Sequence, residues 1–210
     1  GSALRSAAGI EAERWDYDQV AIVATLTAQK FHDHVAYERF TPEGPIALLP
    51  LADGRCGLVW TRSPADAEAS LALDDRAFID VFQQAFGMRL GRFLQVGPRR
   101  AWPLAMTRAE RHTGPRLALG GNAAQGLHPV AGQGFNLGLR DAASLAETIV
   151  DAREEGILDA GDELVLTRYA QWREQDSGRI SAFTDGLVRL FGSPLGSVRT
   201  LRGLGLLAFD

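Results

Sequence analysis

The chain has almost no cysteine and almost no lysine. With Cys56 as the one cysteine among 210 residues, an internal disulfide is excluded. Its place between Arg55 and Gly57 in a strand-like run gives it the role of a small, half-buried side chain. Lys30 is the only lysine, and the net charge is −4. No run rich in Lys and Arg overturns that balance, so nothing attracts a nucleic acid backbone. There is no apolar run of about eighteen residues that would span a bilayer and no signal peptide, which makes the cytoplasm the expected compartment. A Gly-x-Gly-x-x-Gly with a preceding strand occurs nowhere, so the βαβ element that holds a dinucleotide pyrophosphate is missing. Disorder is excluded by a composition 46% hydrophobic and 23% charged.

What is present is concentrated in one stretch, Arg116 to Asp141, reading RLALGGNAAQGLHPVAGQGFNLGLRD. The short apolar run Leu117 to Leu119, bounded by paired glycines, predicts a buried strand. A loop dense in Gly and Pro follows. From about Gly134 the spacing turns helical, with Leu137, Ala142, Leu145, Ala146 and Ile149 on neighbouring faces, and the helix is expected to run to about Glu155 and stop at Gly156. In such a strand-loop-helix unit Gly132 and Gly134 allow positive φ and remove side chains, so backbone N–H groups can approach a flat, electron-rich ligand. The positive end of the helix points at the same place.

The run from Gly121 to Ala142 resembles the second flavin-binding motif of the FAD-dependent aromatic hydroxylases, the family typified by para-hydroxybenzoate hydroxylase. It is most similar to the ubiquinone-biosynthesis branch and, within it, the 2-polyprenyl-6-methoxyphenol hydroxylases. The resemblance implies that Gly121 and Asn122 approach the ribityl chain of FAD, and that the isoalloxazine ring is lined by the segment carrying Pro129, Ala131, Gly132, Gln133, Gly134, Phe135 and Asn136. Most of the wider family has Asp where this chain has Asn122, and Asn keeps the hydrogen bond without the charge. Ser2-Ala-Leu-Arg5 resembles the end of the family's middle motif, Asp-Gly-x-x-Ser-x-x-Arg. Together with the missing glycine loop, this gives the expectation of a C-terminal fragment of an FAD domain protein that by itself binds FAD weakly.

The resemblance further implies a monooxygenase that uses NAD(P)H to reduce FAD, binds O2 at the flavin and hydroxylates a polyprenyl phenol, with no protein nucleophile. It implies partners at a membrane periphery or among other ubiquinone-biosynthesis proteins. A reductase or halogenase on the same scaffold is the alternative among enzymes, although Trp15, Trp60, Trp102 and Trp172 do not form the Trp-x-Trp-x-Ile-Pro signature of halogenases. A non-catalytic subunit that binds prenyl lipid is the alternative outside them.

Elsewhere, strands are predicted over 18–31, 34–40, 45–51 and 55–61, joined by turn residues and paired consecutively as a meander. His32 and His34 would share a strand face, without a third metal ligand. Trp60 and Phe40 read as core more than as a substrate pocket. Residues 63–70 read as a polar connection. Asp74 or Asp75 caps a helix to Phe86 with Phe78, Ile79 and Phe82 on its stripe and Gly87 at its end. A strand is expected over 91–104, a polar lead-in over 108–115, and a long helix over 161–191 followed by an apolar segment, Val198 to Phe209. The fold class is α+β: residues 1–14 as a remnant of the FAD domain, a mainly antiparallel substrate-domain sheet over 15–105, the strand-loop-helix over 106–156 and C-terminal helices over 157–210.

Overall fold

The computed structural model describes residues 2–127 and 133–176. The expectations for residues 128–132 and 177–210 lie outside this range. Among the described residues the elements are α1 (Ala3–Ala7), β1 (Ala12–Ala28), β2 (Tyr37–Thr41), β3 (Gly44–Pro50), β4 (Cys56–Arg62), α2 (Pro64–Ala72), α3 (Asp75–Phe86), β5 (Phe93–Val96), β6 (Arg100–Ala109), β7 (Thr113–Gly114), β8 (Leu117–Ala118), a 3-10 turn (Gly121–Ala123), β9 (Gln125–Gly126) and α4 (Gln133–Glu154). A further helix, α5, covers 163–176. Helices and mainly antiparallel strands are mixed, as the α+β class requires. Within the described range the chain forms two compact units: residues 2–16 with 105–176, and residues 17–104. No helix among the described residues is long and apolar enough to cross a membrane.

In the second unit the strand order is β2-β3-β4-β1, all antiparallel, and the end of β1 also pairs with β5. The expected meander holds for β2, β3 and β4 but not for β1, which pairs with β4 through Val20↔Arg62 to Leu26↔Cys56. The cause is the distribution of polarity. Residues 37–41 include Glu38 and Arg39 and suit an edge, whereas β4 is apolar on both faces and is placed inside the sheet. Asp33 and His34 take left-handed backbone angles, φ 50° and 60°, so His32 and His34 lie in a turn and do not share a strand face. His32 is buried with its Nε2 3.2 Å from the Leu51 carbonyl, and its Nδ1 accepts the His34 N–H at 3.0 Å.

One face of this sheet carries Ile22, Ala24, Leu26, Ile46, Leu48, Leu58 and Trp60 into a core closed by α3. That helix begins at its Asp74 cap, whose side chain accepts the Ala77 N–H, and ends at Gly87. Phe78, Phe82 and Phe86 are its buried stripe. The Phe82 ring centroid is 5.3 Å from that of Trp60 and 4.9 Å from that of Phe93, offset and edge contacts that aromatic quadrupoles favour. Cys56 is buried in the same core, and burial raises its thiol pKa.

Two further expectations are corrected. Residues 64–72 are helical, because Ser63 caps the Asp66 N–H and Pro64 occupies the first helical position. The strand expected over 91–104 is broken in two at 97–99, where the Gly97 N–H bonds the Thr25 carbonyl and Pro98 can donate no ladder bond.

Phe82→Ala is expected to lower the unfolding free energy of the second unit by about 3–5 kcal/mol, since the ring is fully buried among three others. Urea denaturation followed by tryptophan fluorescence measures it. A loss under 1 kcal/mol would mean the aromatic cluster is not its core.

Candidate functional site

The first unit is built around α4. Gly134, Gly138 and Asp141 fall at i, i+4 and i+7 and share one helical face. The 3-10 turn lies on this face. A Cβ at Gly138 would stand 3.3 Å from the Gly121 Cα, and one at Gly120 would stand 3.2 Å from the Asp141 Cβ. Gly121 has φ 56°, a left-handed conformation that glycine adopts without penalty. One turn toward the helix N-terminus, a Cβ at Gly134 would meet no atom of the described residues within 4 Å. Asn122, Gly134, Phe135 and Asn136 are all exposed there.

The turn is held by side chains distant in sequence. Asp141 Oδ2 accepts the Gly121 N–H at 2.7 Å, and its Oδ1 accepts Arg173 Nε at 2.6 Å; both side chains are 1% exposed. The Tyr169 hydroxyl donates to the Leu119 carbonyl at 2.7 Å. Burial pushes the Tyr169 pKa up to about 12, so the hydroxyl stays a donor. Arg5 Nη1, on a helix capped by Ser2, donates to the Ala123 carbonyl at 3.1 Å. β9 continues from the turn and pairs with β6 through Thr107↔Gly126 and Arg108↔Gln125. His112 and Gln125 are buried, and their Nε2 atoms have no hydrogen-bond partner among the described residues. Burial holds the His112 pKa below its ordinary value; Asp141 opposes this more weakly and Arg173 adds to it. Among the described residues no three His, Cys, Asp or Glu side chains group as a metal would require.

Of the residues singled out from sequence, the structure brings Gly121 and Asn122 onto the face of α4 that carries Gly134. Phe135 and Asn136 follow in the first turn of that helix. Gln133 is its first residue, and Pro129, Ala131 and Gly132 lie outside the described range. The positive φ expected at Gly134 is corrected: the residue is helical, and the left-handed glycine of the motif is Gly121. Leu117–Ala118 is only a two-residue ladder with β7, turned through Arg116 at φ 54°. Tyr169 and Arg173 were not legible as parts of the site, and Arg5 and Asp141, though inside the stretches that carry the family resemblance, were given no role in it. The one signal was that Tyr169, Arg173 and Asp176 recur at helical spacing as polar groups on an otherwise apolar stripe.

Two expectations follow from this packing. Gly138→Ala should be less stable than Gly134→Ala by about 1–3 kcal/mol, because one methyl enters a closed backbone contact and the other meets no atom of the described residues on the same helix. Equal denaturation midpoints would contradict the packing. The second concerns pH. His112 is neutral in the folded state, whereas an unfolded histidine takes a proton near pH 6.5. Its contribution is therefore complete above about pH 6.5 and declines as pH falls from there toward its lower folded value. The paired surface carboxylates Asp16, Asp53, Glu155 and Asp159 have lowered pKa values and act only in more acid solution. Denaturation between pH 7 and pH 5 should show stability falling in wild type and falling less in His112→Gln; identical slopes would remove His112 as the cause.

The comparisons with known proteins agree with this geometry. The FAD binding domain family matches residues 1–182. Over 209 residues the chain is 42% identical to the ubiquinone hydroxylase UbiL of Rhodospirillum rubrum, covering 100% of this chain and 48% of that protein. It is 34% identical to the 3-demethoxyubiquinol 3-hydroxylase of Escherichia coli, covering 100% of this chain and 53% of that protein. The chain thus spans about half the length of these curated relatives. Among solved structures, p-nitrophenol 4-monooxygenase PnpA from Pseudomonas putida superposes with a TM-score of 0.75 at 18% identity, over 95% of this chain and 50% of that one, which speaks for the fold. With residues 1–182 matched and the motif's glycine turn packed against α4 at Gly138, the chain belongs to the FAD binding domain family.

Proposed function

We propose that this chain forms part of the flavin site and the substrate-binding sheet of an FAD-dependent monooxygenase that hydroxylates a polyprenylated phenol in ubiquinone biosynthesis, with NAD(P)H and O2 as cosubstrates. The observation that carries the reading is the single face of α4, which packs on the Gly121 backbone at Gly138 and meets no described residue at Gly134. The residues present fit FAD. Exposed Asn122 offers an amide to a ribityl hydroxyl, and the first turn of α4 presents backbone N–H groups and a partial positive charge to an electron-rich ring. FAD, when bound and reduced, would supply the oxygen chemistry that no side chain can perform. The protein's own share is to orient the ring, exclude water and stabilise negative charge near the helix N-terminus.

The sheet of the second unit supports an apolar substrate. Its face opposite the aromatic core pairs Val23 with Val59, Ala47 with Val59, and Thr25 and Leu49 with Gly57. Val23 and Leu49 are exposed, and the others are half-buried. A prenylated ring would bury this small-residue surface, with the Arg55 guanidinium, 3.4 Å from the Thr25 hydroxyl, at its margin. The names of the relatives support ubiquinone biosynthesis as the setting. A cytoplasmic protein that meets its prenylated substrate at a membrane surface is the matching compartment.

Asn122→Leu is expected to weaken FAD binding by roughly five- to hundredfold, since losing one hydrogen bond to a buried hydroxyl costs about 1–3 kcal/mol. Asn122→Asp keeps an acceptor and should stay within about threefold of wild type. Fluorescence titration of the full-length apoprotein at one pH gives both values. If the Leu variant binds FAD as tightly as wild type, residue 122 does not touch the cofactor.

A further inference from the structure

The 3-10 turn that carries Asn122 has no long element of its own. The strand before it is two residues long, and so is the strand after it. Its cofactor-facing backbone therefore takes its position from what grips it. On one side Asp141 receives the Gly121 N–H, and behind Asp141 stands Arg173. Arg173 Nη1 also reaches Asp176 Oδ2 at 2.7 Å, and Asp176 Oδ1 lies 3.3 Å from Arg140 Nη1, returning the chain of charges to α4. Tyr169, Arg173 and Asp176 are spaced i, i+4 and i+7, so one face of α5 supplies all three. A carboxylate with both oxygens engaged in opposite directions has its rotamer fixed.

From this arrangement we infer that Asp141 and Arg173 are positioning residues for the flavin turn: the α5 guanidinium fixes the Asp141 carboxylate, and the carboxylate in turn fixes the Gly121–Asn122 backbone against α4. The inference rests on the proposed flavin site, yet it makes a separate claim about the backbone of the cofactor-free chain. The two residues touch no cofactor in this account and act only through Gly121. Their effects must then be shared. Once the carboxylate is removed, Arg173 has nothing left to position at the turn.

The test uses Asp141→Ala, Arg173→Gln, the double variant and the conservative Asp141→Asn, each at a temperature where circular dichroism shows it folded. Amide hydrogen exchange at Gly121 in the cofactor-free chain is the first readout, and FAD affinity of the full-length protein is the second. Arg173→Gln and Asp141→Ala are each expected to accelerate Gly121 exchange about tenfold or more. The double variant should be no faster than Asp141→Ala alone, and Asp141→Asn, which can still accept the Gly121 N–H but turns an amide donor toward Arg173, should exchange no slower than Arg173→Gln and no faster than Asp141→Ala. FAD affinity should follow the same order. A role in stability alone would shift melting temperatures and leave Gly121 exchange and affinity in the folded proteins unchanged, which would overturn the inference, as would additive effects in the double variant. Full-length wild type that takes up no FAD would sink the flavin reading, while the exchange measurement would still decide the relay.

Discussion

Gly121 and Gly138 meet backbone to backbone, and the first unit depends on that contact. No side chain fits between the turn and the helix, so residues 120–123 lie against α4 at a distance fixed by main-chain atoms. A contact of this kind has little apolar area to hold it closed. Around it the turn is held by the apolar packing of Leu119 and Ala124 with Ile10 and Ala109 and by polar groups from three helices: the Asp141 carboxylate, the Tyr169 hydroxyl and the Arg5 guanidinium each take one backbone group of residues 119–123. Burying the Asp141–Arg173 pair costs desolvation, and it is tolerated because both carboxylate oxygens find donors. Removing either partner alone would leave a buried charge without its counterpart, typically a loss of about 3–5 kcal/mol.

The second unit follows the opposite logic. Its core is held by area: one sheet face and the aromatic stripe of α3 bury Trp60, Phe78, Phe82, Phe86 and Phe93 together. The other face keeps small apolar side chains partly open. The two units are thus held differently, by polar contacts to backbone groups in one and by buried apolar area in the other.

Much of this was written in the sequence at short range. The Asp74 cap, the aromatic spacing and the Gly87 stop define α3 within a residue, because capping and amphipathic periodicity are local. The helical spacing after Gly134 placed α4 in the same way. Turn residues placed β3 between β2 and β4, but the partner of β1 was not legible: period-two patterning says which side chains share a face and nothing about which neighbour takes the ladder. Hence β1 was expected beside β2 and lies beside β4. The Ser63-Pro64 start of α2 carried its own signal and was outweighed by the polarity of the residues that follow. At the site, the resemblance covered Arg5 and Asp141 without giving them a role, and that they grip backbone groups 20 to 118 residues away is written in no local pattern. Which of the motif glycines is closely packed depends on helix phase, and an error of one residue there moves the open position to a closed one.

Cys56 gives the second unit a reporter of its own. The chain's single thiol is 1% exposed, sits in the core with Trp60 and is kept protonated by its surroundings. Thiol reagents attack the exposed thiolate, so the folded second unit is silent to them. The rate at which the protein is alkylated therefore counts openings of the sheet and its aromatic core. Because no other cysteine exists, fraying of the first unit adds nothing to that count. A mass shift of one label records the opening of one unit in a two-unit chain, without any engineered probe.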